Sequence, residues 1–205
     1  GMSTTMANMG IIYTSSPIFI VILSVFFFGE KISLKRTAGL IICLIGVIII
    51  ICKGNINFLL SFKFTSGDFW MLGASIGWAL YSIYLINWKS NFSLMARFTL
   101  ISFFGFFSLF PFYIFEEFYI YNTNYNLTFL FWVLFAAISP GIISFTLYTK
   151  AQRYLGASLT GFTLYLYAVY GAIFGIILFE EMLLSFHYLG AILVFLGVYV
   201  ARKLS

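Results

Sequence analysis

The sequence predicts an all-α integral membrane protein with seven transmembrane helices. Three observations lead to this fold class: the chain is 62% hydrophobic and only 8% charged, its apolar runs are separated by short charged corners, and its basic residues favour alternate corners. A soluble domain carries about a quarter charged residues. The charges here are too few to cover a water-facing surface, so most of the surface is expected to face lipid.

Seven apolar runs approach or reach the length that a helix needs to cross a bilayer, about 17 to 25 residues. Asp68 precedes the third run, in the position that we assign to a helix N-cap. Residues 54–67 are expected to form an external loop, apolar enough to lie along the membrane interface. The predicted spans are Met6–Phe28, Thr37–Cys52, Phe69–Trp88, Phe98–Phe115, Thr128–Thr149, Ala157–Phe179 and Phe186–Ala201.

Lysine and arginine predict the orientation, because they accumulate on the cytoplasmic side of membrane proteins. With corners on alternate sides, nine of the 11 basic residues fall on one side and two, Lys53 and Lys63, fall on the other. The C-terminus is therefore expected in the cytoplasm. One false span would scramble this alternation, so the charge count also supports the number of helices.

A displacement of 151 positions brings the first acidic corner and its helices into register with the last one. Chance is an alternative explanation, since membrane helices are rich in glycine. The two corners, however, fall on opposite sides of the membrane, as inverted units of five helices require. Inverted repeats are common in secondary transporters, with the substrate site between the halves. The matched pairs are Gly10 and Gly161, Phe28 and Phe179, Glu30 and Glu181, Gly39 and Gly190, Gly46 and Gly197, and Val47 and Val198.

Four stretches of the chain, taken in order and at their spacing, resemble a known family. They are "YTSSPIFIVILSVFFFGEKIS", "GDFWMLGASIGWALYSIYL", "SPGIISFTLYTKAQRYLGAS" and "FGIILFEEMLLSFHYLGAILVFLGVYVA". They resemble the EamA-type permeases of the drug/metabolite transporter superfamily. The resemblance implies a ten-helix fold built from two inverted five-helix repeats, of which this chain supplies the fourth to tenth helices.

On this mapping, residues 1–53 are the last two helices of the first repeat, 54–67 the external loop and 68–205 the complete second repeat. Three further helices are expected before Gly1. The resemblance implies a secondary transporter of the bacterial inner (plasma) membrane that moves a small organic metabolite, such as an amino acid or a nucleoside-like compound, by alternating access. It also implies a homodimer through the fourth–fifth and ninth–tenth helix pairs.

The chain departs from the family pattern at two places. "LYLYAVYG" carries Tyr167-Ala168 where family members often have Glu-Pro, and the second acidic corner is Glu180-Glu181 instead of Gly-Glu. The first departure lies near the expected substrate path, which leaves the identity of the substrate open.

Polar and aromatic residues inside the predicted spans are the candidates for substrate binding, because they are costly in lipid unless they face protein or water. Asn8 and Thr14 begin one such cluster, in which Pro17 is expected to kink the helix; a purely structural kink is the alternative. Other clusters share helix faces by spacing, with interhelix packing as their alternative. The candidates are Ser15, Ser16, Pro17, Trp78, Tyr81, Ser82, Ser144, Tyr148, Thr163, Tyr167 and Tyr170.

The carboxylates are expected at corners. We interpret Glu30 and Glu181 as corner residues and not as ion-coupling sites, so transport is not expected to rely on a buried proton-carrying acid in these helices. Gly171 and Gly175 form a G-x-x-x-G pair, which predicts a close helix contact. We also interpret the repeat glycines as helix-packing residues: Gly39, Gly46, Gly190 and Gly197.

The sequence argues against an enzyme. It contains no nucleotide-hydrolysis or zinc motif and has a single histidine. No metal, cofactor or nucleic-acid partner is expected; the expected partners are a small-molecule substrate, the lipid bilayer and a second copy of the chain. A membrane enzyme acting on lipids and a non-transporting scaffold or assembly protein are the alternative functions.

Overall fold

The computed structural model describes residues 4–55, 57–58, 63–87, 91–119, 124–180 and 182–202, and in this part of the chain the regular secondary structure is helical. An all-α fold is therefore confirmed. The elements are α1 (Met6–Tyr13), α2 (Ser16–Phe28), α3 (Leu34–Ile51), α4 (Ser66–Asn87), α5 (Leu94–Tyr119), α6 (Leu127–Ala136), a π-helical segment (Ala137–Ser144), α7 (Phe145–Gly161), a 3-10 turn (Phe162–Tyr165), α8 (Leu166–Phe179) and α9 (Ser185–Arg202).

Six continuous helical segments in the described residues are long and apolar enough to cross a membrane. One of them, Leu127–Leu178, is 52 residues long and contains both the fifth and the sixth predicted spans. It is interrupted at Gly156, where φ is 81° and ψ is 167°. The predicted corner between these spans is therefore helical except at this glycine.

Three helices begin three or four residues earlier than the sequence predicts, and α5 is one of them, starting at Leu94 and not at Phe98. α3 begins at Leu34 and not at Thr37, because the Ser33 hydroxyl caps it by accepting the backbone N–H of Arg36 at 3.2 Å. α4 begins at Ser66, so the assignment of Asp68 as its N-cap was wrong. Asp68 lies in the first turn instead, and its carboxylate accepts the backbone N–H of Thr65 at 2.8 Å. This is the reach-back contact of a capping box.

Close packing between α3 and α9 depends on four glycines that the sequence predicted to be packing residues. A Cβ added at Gly39 would lie 2.6 Å from the carbonyl oxygen of Gly197, and one at Gly46 would lie 2.7 Å from that of Gly190. Between these two contacts the buried Cys43 thiol donates to the carbonyl of Val194 at 3.4 Å. Residues without a Cβ let the two backbones approach this closely.

The described residues divide into two compact units, one within 1–88 and 152–205 and the other within 89–151. Two buried clusters hold the first unit together. One joins α3 to α9 and the 3-10 turn, and the other joins α2 and α4 to Ala157 of α7 around Ile20. In the second unit the side chains of α5 and α6 are almost all exposed on the protein surface, and they are dominated by phenylalanine, as a lipid-facing surface allows.

In the described part of the chain, Gly171 takes no part in a close helix contact. It is exposed, and no described atom lies within 4 Å of the position that a Cβ would occupy. This half of the predicted G-x-x-x-G contact is therefore not formed among the described residues.

Substituting a glycine of the α3–α9 contact is expected to destabilise the protein. Gly46→Ala forces the two backbones apart and should lower the free energy of unfolding by about 1 to 3 kcal/mol. Thermal unfolding followed with a thiol-reactive fluorophore reports this directly, since Cys43 becomes accessible as the contact opens. Gly73→Ala is the matched control, because a Cβ there meets no atom within 4 Å. Equal melting temperatures for the two variants would contradict the role of the contact.

Candidate functional site

A cavity of about 480 Å³ lies in the first unit, among α1, α3, α4, α8 and the 3-10 turn. Its size is within the range of small-molecule sites. None of the described side chains that line it is charged. The lining residues are Met9, Gly10, Tyr13, Thr14, Ile51, Met71, Leu164, Tyr167 and Ala168.

Two tyrosines dominate the wall of this cavity. The ring centroids of Tyr13 and Tyr167 are 5.7 Å apart with an interplanar angle of 63°, which is an edge-to-face arrangement. Tyr167 is 65% exposed, so its ring is available to a bound molecule. Aromatic rings of this kind bind apolar groups and, over their faces, cations.

The junction of α1 and α2 places Tyr13 and Thr14 at the cavity. α1 ends at Tyr13 and α2 begins at Ser16, and Pro17 has no N–H to donate to the carbonyl of Tyr13. Thr14 donates its hydroxyl to the carbonyl of Ile11 at 2.6 Å, and Ser15 donates to that of Ile12 at 2.5 Å. The hydroxyl groups therefore bond back to their own helix and stabilise the bend.

Ser16 and Pro17 are buried on the helix-packing side of α2 and do not line the cavity. Ser16 lies one turn before Ile20, on the face that packs against α4. Among the described residues, its hydroxyl has no hydrogen-bond partner.

The cluster on α4 is also separate from the cavity. The rings of Trp78 and Tyr81 are 5.6 Å apart, and Trp78 packs against the cluster around Ile20. Ser82 is fully buried and accepts a hydrogen bond from the side-chain amide of Gln152, which also donates to the Ser82 carbonyl at 3.3 Å. This contact fastens α7 to α4.

The remaining candidates occupy three environments. Ser144 donates its hydroxyl to the carbonyl of Ser139 at 3.1 Å in the π-helical segment, and it belongs, with Tyr148, to the second unit. Thr163 bonds to the carbonyl of Thr160 at 2.7 Å. Thr163 and Tyr170 are exposed but do not line the cavity. Among the described residues, the predicted candidates that line the cavity are therefore Tyr167 and, from the cluster on the first predicted span, Thr14.

A buried carboxylate, that of Asp68, lies on α4 three positions before the lining residue Met71. Asp68 is fully buried, and its two oxygens accept hydrogen bonds from the Thr4 hydroxyl, from the Asn8 side chain at 3.0 Å and from the Thr65 backbone. The Asn8 amide also donates to the carbonyl of Lys63 at 3.2 Å. Asp68 thus joins α1, α4 and the preceding loop through neutral donors.

A second carboxylate joins helices at the other end of α2. The two oxygens of Glu30 accept from Arg36 at 3.0 Å and from the Ser158 hydroxyl at 2.6 Å. Ser158 is two residues beyond the break at Gly156. Glu30 is therefore a tie between the α2–α3 corner and the end of α7, in agreement with its interpretation as a corner residue. Glu181 lies outside the described residues.

Sequence reasoning missed Tyr13, Met9 and Met71 as cavity residues and Gln152 as a buried tie. The position of Tyr13 directly before Thr-Ser-Ser-Pro is the signal that points to it. No comparable signal marks the methionines, whose flexible side chains fill gaps in many environments. Within the described residues, no group of His, Cys, Asp and Glu side chains is arranged to hold a metal ion.

Comparison with known proteins identifies the family of this fold. The pattern of the EamA-like transporter family matches residues 2–52 and 65–202, which is most of the chain. The chain belongs to the EamA-like transporter family. Together with its apolar helices, this membership makes it an integral membrane protein.

Individual relatives of this EamA-like chain are distant. An uncharacterized transporter of Methanothermobacter thermautotrophicus is 26% identical over 199 residues, covering 96% of the chain and 57% of the relative. A WAT1-related chloroplastic protein of Arabidopsis thaliana is 26% identical over 217 residues, covering 98% of the chain and 50% of the relative. The chain thus spans about half the length of these curated relatives. A solved crystal structure superposes on it with a TM-score of 0.76 at 17% identity, covering 98% of this chain and 68% of that one.

Removal of the Asn8 side chain from this EamA-like chain is expected to lower its stability. Asn8→Ala deletes one donor to a buried carboxylate, and hydrogen bonds to charged groups contribute about 1.5 to 3 kcal/mol each. Asn87→Ala is the matched control, because the Asn87 amide donates only to the carbonyl of Ile83 on its own helix. Thermal unfolding in detergent measures both. A melting temperature no lower for Asn8→Ala than for Asn87→Ala would contradict the importance of the Asp68 contacts.

Proposed function

We propose that this protein is a secondary transporter that moves a small organic metabolite, such as an amino acid or a nucleoside-like compound, by alternating access. The observation that carries the proposal is the cavity of about 480 Å³ between helices of a chain that belongs to a transporter family. A cavity in this position, with uncharged and aromatic walls, suits an organic solute more than an inorganic ion.

The proposed substrate site consists of Tyr13, Thr14 and Tyr167. These residues come from two parts of the chain that are far apart in sequence, at the end of α1 and at the start of α8. A molecule that contacts both would respond to any movement of α8 relative to α1. This is the requirement for coupling binding to a change of conformation. Substrate contact with Trp78, Tyr81, Ser144 and Tyr148 stays a prediction.

The inverted repeat supports alternating access in this proposal. Cys43 and Val194 lie 151 positions apart and contact each other. The same displacement relates Gly39 to Gly190 and Gly46 to Gly197. The Gly39–Gly197 contact and the Gly46–Gly190 contact are therefore equivalent in the two units. Residues 1–53 are accordingly proposed as the end of one repeat and 68–205 as its inverted partner. The rocking of such units around a fixed site is the usual mechanism of transporters of this kind.

The orientation in the membrane is proposed from charge. Nine basic residues would face the cytoplasm together with the C-terminus, and the side bearing Asp68, Lys53 and Lys63 would face outward. A bacterial inner membrane is the proposed location.

Uptake by proteoliposomes containing the full-length transporter tests this function. A panel of radiolabelled amino acids, nucleosides and aromatic metabolites is expected to include at least one compound that accumulates above the level of empty liposomes. For that compound, Tyr13→Ala and Tyr167→Ala should each reduce uptake about tenfold, because loss of a well-packed aromatic contact costs about 1.5 kcal/mol.

Tyr13→Phe and Tyr167→Phe keep the rings and separate ring contact from hydroxyl contact. Correct insertion is checked for every variant by size-exclusion profile and melting temperature. Uptake that is unchanged in both alanine variants would remove this cavity as the site. Absence of uptake for the whole panel would instead favour the scaffold alternative.

A further inference from the structure

We propose that the cavity selects organic cations, molecules that carry an ammonium group on an apolar or aromatic body. This inference rests on the proposed function and names the class of substrate for the same site. It follows from the chemistry of the cavity wall and from the carboxylate buried next to it.

The cavity wall contains two aromatic rings that can bind a cation, and its described lining side chains are uncharged. Tyr13 and Tyr167 present π-systems to the cavity, and neither lysine nor arginine lines it. A cation placed over the face of a tyrosine is attracted by the ring quadrupole, more strongly when water is excluded. The methionines Met9 and Met71 complete an apolar wall that accommodates the body of the molecule.

Asp68 supplies the negative charge next to this wall. Asn8, which donates to the carboxylate, is followed directly by the lining residue Met9. Met71, another lining residue, is three positions after Asp68 on α4, which corresponds to about 4.5 Å along the helix axis. Asp68 and the lining residue Met71 therefore lie on the same face of α4, about one turn apart.

The charge of Asp68 is not neutralised by an ion pair in the described part of the chain. Its hydrogen-bond partners are a hydroxyl, an amide and a backbone N–H, which hold the carboxylate in place without cancelling its charge. The nearest basic residues along the sequence, Lys53 and Lys63, are exposed, so water screens their charges.

Electrostatic attraction extends further in the interior of a membrane protein than in water, because the effective dielectric constant is lower. A cation in the cavity is attracted by the Asp68 carboxylate, whereas an organic anion of the same shape is repelled. Asp68 acts here at a distance, through its charge. Its hydrogen bonds are already used, so direct contact with the substrate is not required.

Binding of three probes of similar size tests the inference. They are phenethyltrimethylammonium, which is a permanent cation, the neutral 4-phenyl-2-butanone and the anionic 3-phenylpropionate. Isothermal titration calorimetry uses the full chain in nanodiscs of zwitterionic lipid, and empty nanodiscs correct for partitioning. The cation is expected to bind about tenfold more tightly than the ketone, and the anion most weakly.

Asp68→Asn separates charge from structure. It removes the negative charge and also replaces one accepting oxygen with an NH2 donor, so any structural effect should weaken binding of cation and ketone alike. Loss of the charge is expected to weaken binding of the cation about tenfold more than binding of the ketone. Glu180→Gln is the matched control, because it converts an exposed carboxylate to its amide. It should change the binding of neither probe. An equal loss for cation and ketone in Asp68→Asn would show a structural role and overturn the inference.

Tyr167→Leu provides a second variant should Asp68→Asn fail to fold. The Tyr167 side chain is exposed, so its replacement is tolerated. Tyr167→Leu should weaken binding of the cation more than binding of the ketone. The control is Tyr154→Leu, which replaces an exposed tyrosine outside the cavity. It should leave the binding of both probes unchanged.

Three results with the unmodified protein overturn the inference: equal binding of cation and ketone, tighter binding of the anion, and binding of no probe. These results leave the transport proposal standing if the uptake of another solute depends on Tyr13 and Tyr167. Tight cation binding without uptake of any solute would contradict transport and support the binding preference alone.

Discussion

The close contact of α3 with α9 is the interaction on which the rest of the described fold depends. Because Gly39, Gly46, Gly190 and Gly197 have no side chains, the two backbones approach until carbonyl oxygens lie where a Cβ would be. The cluster that includes Tyr165 and Val169 is assembled against this pair. Hydrophobic burial does not drive helices together within lipid, so close van der Waals packing must supply the attraction. The position of the end of α3 at the cavity follows from this contact.

Two buried polar side chains, 14 residues apart on one face of α4, provide the second set of links. They are Asp68 and Ser82. The first accepts donors from α1, and the last accepts from Gln152 of α7. A polar group in hydrocarbon is costly unless it is hydrogen-bonded, so these contacts determine which helices can lie beside α4. They also place a negative charge next to an otherwise neutral cavity.

The sequence was sufficient to predict the fold class, the approximate helix ends and the packing role of the four glycines, because composition and spacing carry these properties directly. It was not sufficient for the environment of Asp68. Its position before the third apolar run indicated a helix start, but its partners Asn8 of α1 and Thr4, just before α1, are known only from the tertiary structure. The same reason explains why Tyr167 was predicted near a substrate and Tyr13 was not. Helical spacing identifies residues that share a face, and it does not reveal which faces enclose a cavity.

The contact between Cys43 and Val194 has a consequence for the history of the chain. In a dimer of two identical units, positions that meet on the two-fold axis are occupied by the same residue twice, and every substitution there changes both sides of the contact. Joining the units in one polypeptide removes this restriction. One side can then keep a thiol that donates to a carbonyl while the other becomes a valine. If the proposed repeat is correct, this pair marks the place where the two halves became free to diverge while their glycines were held alike by packing.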